Sequence, residues 1–173
     1  MSGDRVTIDE FNRLQPAVAA GVLAGCADIE SWIDAVLGDR PFASREALLE
    51  AAGRAAEGWT NAEVDAGLAH HPRIGERPDA DRLGAVNSAH SAREQAGMAG
   101  AAGSTQAAIV AGNAAYERRF GRVFLIRAAG RSPEQILAEL TVRLRNDDAT
   151  EDAVVARELR EIALLRLELA VTG

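Results

Sequence analysis

The chain has 173 residues, and with 47% apolar and 26% charged residues it has the balance of an ordinary soluble globule. That excludes disorder across the whole length; a chain of this size buries about 70% of the surface it exposes unfolded, so it needs no disulfide or metal to fold. A net charge of −7 argues against nucleic acid or anionic membrane as partner, the lack of lysine excludes lysine Schiff-base chemistry, and the single cysteine, Cys26, excludes a disulfide framework or a cysteine-rich zinc site and fits a reducing compartment.

Alanine is frequent and β-branched runs are rare, so the pattern predicts helix from end to end. Thr7 with Glu10 forms a capping box before Phe11, Leu14 and Val18. Asp28 is placed to cap a helix carrying Ile29, Trp32, Ile33 and Val36, and Arg40-Pro41-Phe42 breaks the chain. Ser44 caps a segment with Leu48, Leu49, Ala52 and Ala56, and Thr60 with Glu63 makes another capping box, leading into Val64 and Leu68. Residues 70–78, with two prolines and a glycine, read as loop. Helix resumes from about Ser88 to Met98, and Gly100 to Ser104 is a small-residue break. Ile109, Gly112, Tyr116 and Phe120 then lie on one stripe, ended by Gly121. Val123 to Ile126 is a β-like run too short for a sheet. Ser132, Pro133 and Gln135 sign the start of the next helix. Asn146 to Thr150 reads as a polar connection, and a last helix from about Glu151 carries Val155, Leu159, Ile162, Leu165 and Leu169. The expectation is a single all-α domain over residues 1–173, a bundle of about seven helices. The polar N-terminus has no apolar core of a signal peptide, and no apolar run approaches the roughly 20 residues of a membrane span, which points to the cytoplasm.

Three segments carry side chains suited to chemistry. In the 70–78 loop, Pro72 biases His71 toward an extended conformation that can aim its imidazole into a cleft; the alternative is a pair of surface histidines, His70 and His71. Ser91, Glu94 and Gln95 stand at i, i+3 and i+4, so a helix presents a hydroxyl, a carboxylate and an amide together, as a ligand face or as a solvated one. His90 and Glu94 share that spacing, but no further ligand pattern completes a metal site. From Phe120 to Ser132 an apolar extended run sits between arginines and a glycine turn; its backbone groups suit a ureide edge, and it equally suits a buried crossing segment. Arg166, among leucines, is at the edge of its stripe or directed at an anion. There is no GxSxG, and Gly97 to Gly103 lacks the lysine and strand of a phosphate loop. Cys26 reads as core.

Taken in order, HPRIGE from His71, SAREQAG from Ser91, the Asn113, Tyr116, Phe120-Gly121 and Phe124 pattern, AAGRS from Ala128, and the closing Glu158, Ile162, Arg166-Leu167 resemble the OHCU decarboxylase family, as do Trp32, Leu37 and Arg40-Pro41-Phe42. The resemblance covers nearly the whole chain. It implies an all-helical, cofactor-free homodimer that decarboxylates 2-oxo-4-hydroxy-4-carboxy-5-ureidoimidazoline in urate breakdown, with a small ureide as its substrate. It places the catalytic histidine on His71, with Pro72 lining the pocket. Glu94 assists, and Ser91 and Gln95 hold substrate. A main-chain site falls on Phe124, Leu125, Ile126, Arg127 and Ala128, and the arginine of the last helix on Arg166. Arg127 stands where some relatives carry cysteine, which leaves a backbone role intact, and Arg131 matches the GRS of many bacterial members. The alternatives are a helical binding or scaffold module without catalysis and a lyase acting on a related ureide.

Overall fold

The computed structural model describes residues 5–69, 71–75 and 103–173. The expected helix at 88–98, with Ser91, Glu94 and Gln95, lies outside the described residues. Among those described, the chain is all-α: eight helices and a two-residue parallel pairing in which Val6–Thr7 (β1) meets Val171–Thr172 (β2), Val6 opposite Val171. Internal contacts group the chain into two units, residues 1–67 with 160–173, and residues 68–159.

The first unit contains Ile8–Arg13 (α1), Pro16–Cys26 (α2), Glu30–Gly38 (α3), Arg45–Ala56 (α4) and nearly all of Asn61–Leu68 (α5). The Thr7–Glu10 box forms, with the Glu10 amide donating to Thr7 Oγ1 and Glu10 Oε2 accepting from the Thr7 amide. The helix it starts stops at Arg13, before Val18, because Pro16 cannot continue the ladder and instead occupies the first turn of α2; Val18 is 54% exposed. The cap of α3 is Ile29 rather than Asp28, and the backbone at Ile29 is extended. Ser44 caps α4 as expected, and the Thr60–Glu63 box forms. At the chain break, Arg40 Nη1 donates to the carbonyls of Phe11 and Leu14 at 3.0 Å each, and Asn12 exchanges two bonds with the Phe42 main chain, so the break docks on the end of α1. Trp32 is buried against Trp59 edge-on, and its indole N–H donates to the Ala52 carbonyl at 2.9 Å, which joins α3 to α4.

The second unit contains Gly103–Phe120 (α6), Pro133–Arg143 (α7) and the first half of Asp148–Ala170 (α8), whose remainder belongs to the first unit. Its core is a cluster of Ile74, Ile109, Tyr116, Phe124, Ile126, Ala128, Ile136 and Leu140. Each isoleucine, leucine or phenylalanine in it, fully buried, contributes about 1.5–3 kcal/mol. Gly121, at φ +70°, turns the chain out of α6, and the Ser132–Gln135 box with Pro133 starts α7. The expected connection at 146–150 is shorter than the polarity suggests: Asp147 accepts from the Thr150 amide at 2.7 Å, so α8 begins at Asp148. Along α8, Leu165 and Leu169 are half-buried, whereas Leu167 and Arg166 are buried.

α6 packs on α7 through Gly112, where an added Cβ would lie 2.4 Å from Leu140 Cδ2 and 3.1 Å from its Cγ. Leu140 is fully buried. Gly112→Ala is therefore expected to destabilise by about 1–3 kcal/mol through overpacking, against the gain in helix propensity. A fall in the urea midpoint at constant slope measures it.

Candidate active site

The segment His71 to Arg73 has no regular secondary structure, and the chain turns at Ile74 and Gly75. The His71 amide donates to the Leu68 carbonyl at 2.9 Å, which fixes where the segment leaves α5. Its other end is tied to α6. Asn113 Nδ2 donates to the Ile74 carbonyl at 2.9 Å, Gln106 Nε2 to the Gly75 carbonyl at 3.2 Å, and Arg73 makes a two-pronged ion pair with Glu117, with Nη2 2.9 Å from Oε2. Gln106, Asn113 and Glu117, at i, i+7 and i+11, form one stripe of the helix. Gly75 has φ +86°, and a Cβ there would meet Gln106 Nε2 at 2.8 Å, so the turn requires glycine. The bonded Arg73 guanidinium holds the Glu117 carboxyl below the usual carboxylate range; this tether is complete at neutral pH and is lost as pH falls through that lowered value. His71 and Pro72 are half-buried, and Ile74 is buried.

The run from Val123 to Ala128 has no regular secondary structure and no sheet partner among the described residues, and lies between Gly121 and Gly130, both at positive φ. Phe124, Leu125, Ile126 and Ala128 are buried and Arg127 is half-buried. Buried charges grip its main chain. Arg143 Nη1 donates to the Leu125 carbonyl at 2.6 Å, and the Arg127 amide donates to Glu158 Oε2 at 2.7 Å. The Ala128 carbonyl accepts from the Arg131 amide. Between these, the Ile126 N–H and carbonyl form no hydrogen bond among the described residues. Ile74 of the histidine segment and Phe124, Ile126 and Ala128 of this run belong to one apolar cluster.

The sequence pattern of the OHCU decarboxylase family matches residues 12–168. The chain belongs to that family. It is accordingly a decarboxylase, a carboxy-lyase. It is 31% identical over 153 residues to the 2-oxo-4-hydroxy-4-carboxy-5-ureidoimidazoline decarboxylase of Amia calva, covering 88% of this chain and 79% of that one. It is 24% identical over 163 residues to the enzyme of the same name from Haloferax volcanii, covering 94% of each. In fold it is similar to a crystal structure of OHCU decarboxylase in the presence of (S)-allantoin, with a TM-score of 0.68 at 22% identity over 82% of this chain and 91% of that one. It is also similar to a crystal structure of (S)-allantoin synthase, with a TM-score of 0.71 at 16% identity; that match covers 96% of this chain and 54% of that one, so the present chain spans about half its length.

Of the residues singled out from the decarboxylase sequence, the second unit holds His71, Pro72 and Phe124 to Ala128. Arg131 and Arg127 line a surface groove beside Gln135 and Glu139. Arg166 belongs to the first unit and is 4% exposed, not at the edge of its stripe. Its charge acts on Cys26, whose thiol burial pushes up to about 12 while the nearby guanidinium pulls it back. The residues that the sequence alone did not single out are the anchors: Asn113, Glu117, Arg143, Glu151 and Glu158. The only trace of them was that Asn113 and Glu158 are the polar members of two family patterns, set one position away from apolar stripes.

Arg143 also donates to Glu151 Oε1 from Nε at 2.9 Å and Nη2 at 2.6 Å; Glu151 further accepts from Tyr116 Oη and from Asn146 Nδ2. Burial, then the bond to Glu151, raises the Tyr116 phenol, which stays protonated as the donor. Arg143→Met is expected to cost about 3–5 kcal/mol, because it leaves the Glu151 carboxylate buried without its cation; chemical denaturation reads the loss. Cys26 is expected to resist alkylation at about pH 8 in the native protein and to react fully once unfolded, since an ordinary thiol titrates near 8.5. Mass spectrometry of iodoacetamide-treated samples decides this.

Proposed function

We propose that this chain, as a single domain over residues 1–173, decarboxylates 2-oxo-4-hydroxy-4-carboxy-5-ureidoimidazoline to (S)-allantoin without a cofactor. The reading includes a cytoplasmic homodimer acting on urate-derived ureide. The observation that supports it best is that the segment bearing His71 and the gripped main chain of 124–128 are built on one core through Ile74, Phe124, Ile126 and Ala128. A ureide ring presents alternating N–H and C=O groups, and the Ile126 main chain offers the complementary donor and acceptor.

The reaction needs little from the protein beyond orientation and proton control. When the C4–carboxylate bond breaks, its electron pair forms a C4=C5 bond and the C5=N electrons move to nitrogen, which takes a proton. The C4 hydroxyl then gives up its proton to become the carbonyl, and C5 gains one. The substrate is its own electron sink. His71 exchanges these protons, since an imidazole's ordinary pKa near 6.5 suits both directions at neutral pH. Glu94 assists it, Ser91 and Gln95 hold amide groups beside Pro72, and Arg166 takes an anionic group. Proton delivery to one face of C5 fixes the product's hand.

His71→Asn is expected to fold normally and to lose at least about two orders of magnitude in turnover, the usual scale of a general acid–base group. Freshly generated substrate followed by circular dichroism reports both rate and hand: the wild type gives one enantiomer, and unassisted decay gives a racemate. Racemic product at the uncatalysed rate from the wild type would establish the scaffold alternative instead.

A further inference from the structure

We infer that Asn113 is a positioning residue for the His71 imidazole, acting through the main chain of the intervening segment; this rests on the reading of His71 as the proton-transfer group. Asn113 is 4% exposed, and its Nδ2 donates to the Ile74 carbonyl at 2.9 Å. Between that bond and the His71 amide bond to Leu68 lie only Pro72 and Arg73. Proline fixes its own φ and restricts the residue before it, so few dihedrals remain by which His71 could shift once both ends are held.

The other tethers are weaker holds. The Arg73–Glu117 pair is partly exposed, where solvent screens ion pairs to small values, and the Gln106 bond reaches Gly75, one residue beyond Ile74. Asn113 is the buried member of the stripe. It is also a poor choice for stability. Among the described residues its Oδ1 is buried without a hydrogen-bond partner. A half-satisfied buried amide is less favourable than an apolar side chain of the same size whenever the partner carbonyl can find another donor. What the amide supplies is a directional hold on one carbonyl three residues from the imidazole. Misplacement of a reacting group by about 1 Å costs up to about a hundredfold in rate, so such a hold is felt in turnover rather than in substrate binding.

The test is a double-mutant cycle on the full chain with freshly generated substrate. Asn113→Leu, of the same branched shape though larger, is expected to lower kcat about tenfold with KM changed less than about twofold, and to lower the melting temperature by only a few degrees for the Ile74 carbonyl left without its donor. In a His71→Asn background, Asn113→Leu is expected to lower the residual rate no further, because the group being positioned is gone. A kcat within twofold of wild type, or the same tenfold loss in both backgrounds, would overturn the inference, the second result marking a general structural role. Should Asn113→Leu fail to fold, Asn113→Ala enters the same cycle under the same criteria. A His71→Asn enzyme with wild-type turnover would sink the underlying reading of His71, and that result is separate from either outcome for Asn113.

Discussion

Arg143 and Glu151, at 1% and 0% exposure, hold a guanidinium and a carboxylate out of water, and the second unit is arranged around them. Each such charge loses several kcal/mol of hydration, which the mutual attraction offsets only if the remaining donors and acceptors are also met. They are met from everywhere nearby. Arg143 reaches the Leu125 carbonyl and lies 4.6 Å over the Phe124 ring; Glu151 collects Tyr116 from α6 and Asn146 from the connection before α8. Oil-like side chains of equal volume would hold these elements at least as strongly, but they would tolerate sliding. The hydrogen-bonded pair ties the register of α6, α7, α8 and the 123–128 run together.

α6 transmits that register to the histidine segment. Tyr116 faces the buried pair, while Asn113 and Glu117, on the adjoining turn, hold Ile74 and Arg73. These are side chains of one rigid helix, so a rotation of α6 about its axis would disturb the ion pair and the loop anchors together. Gly112 on the same turn lets α7 come close enough to fix that rotation. The packing of two helices thus sets the placement of a loop that neither of them contains.

What the sequence made legible was local. The caps at Thr7, Ser44, Thr60 and Ser132 were readable because cap and partner lie three residues apart, and the breakers around His71 and Gly130 marked the loops for the same reason. The α1–α2 boundary was harder, since Phe11, Leu14 and Val18 keep helical period straight across Pro16. Asn113 and Glu158 stood out only as members of the family patterns, and their role as anchors was not readable. Asn113 meets Ile74 at a separation of 39 residues and Glu158 meets Arg127 at 31, and nothing beside either residue distinguishes a buried polar anchor from a solvated one. Arg166 misleads in the same way: its leucine neighbours suggest an edge, and only the fold of the first unit buries it.

The charges that grip residues 125–127 also act on the peptide groups they touch. The peptide joining Leu125 to Ile126 has its carbonyl bonded to the Arg143 cation, which draws electrons toward that oxygen and makes the Ile126 N–H a better donor. The peptide joining Ile126 to Arg127 has its N–H bonded to the Glu158 carboxylate, which pushes electron density the other way and makes the Ile126 carbonyl a better acceptor. Two buried side chains of opposite sign therefore strengthen, at a single residue, the donor and acceptor that a ureide edge would use. This polarisation acts through the backbone and does not depend on the side chain at position 127, where an arginine or a smaller residue serves equally. On the proposed reading of this main chain as the ureide site, Arg143 and Glu158 would set how strongly it holds the ligand.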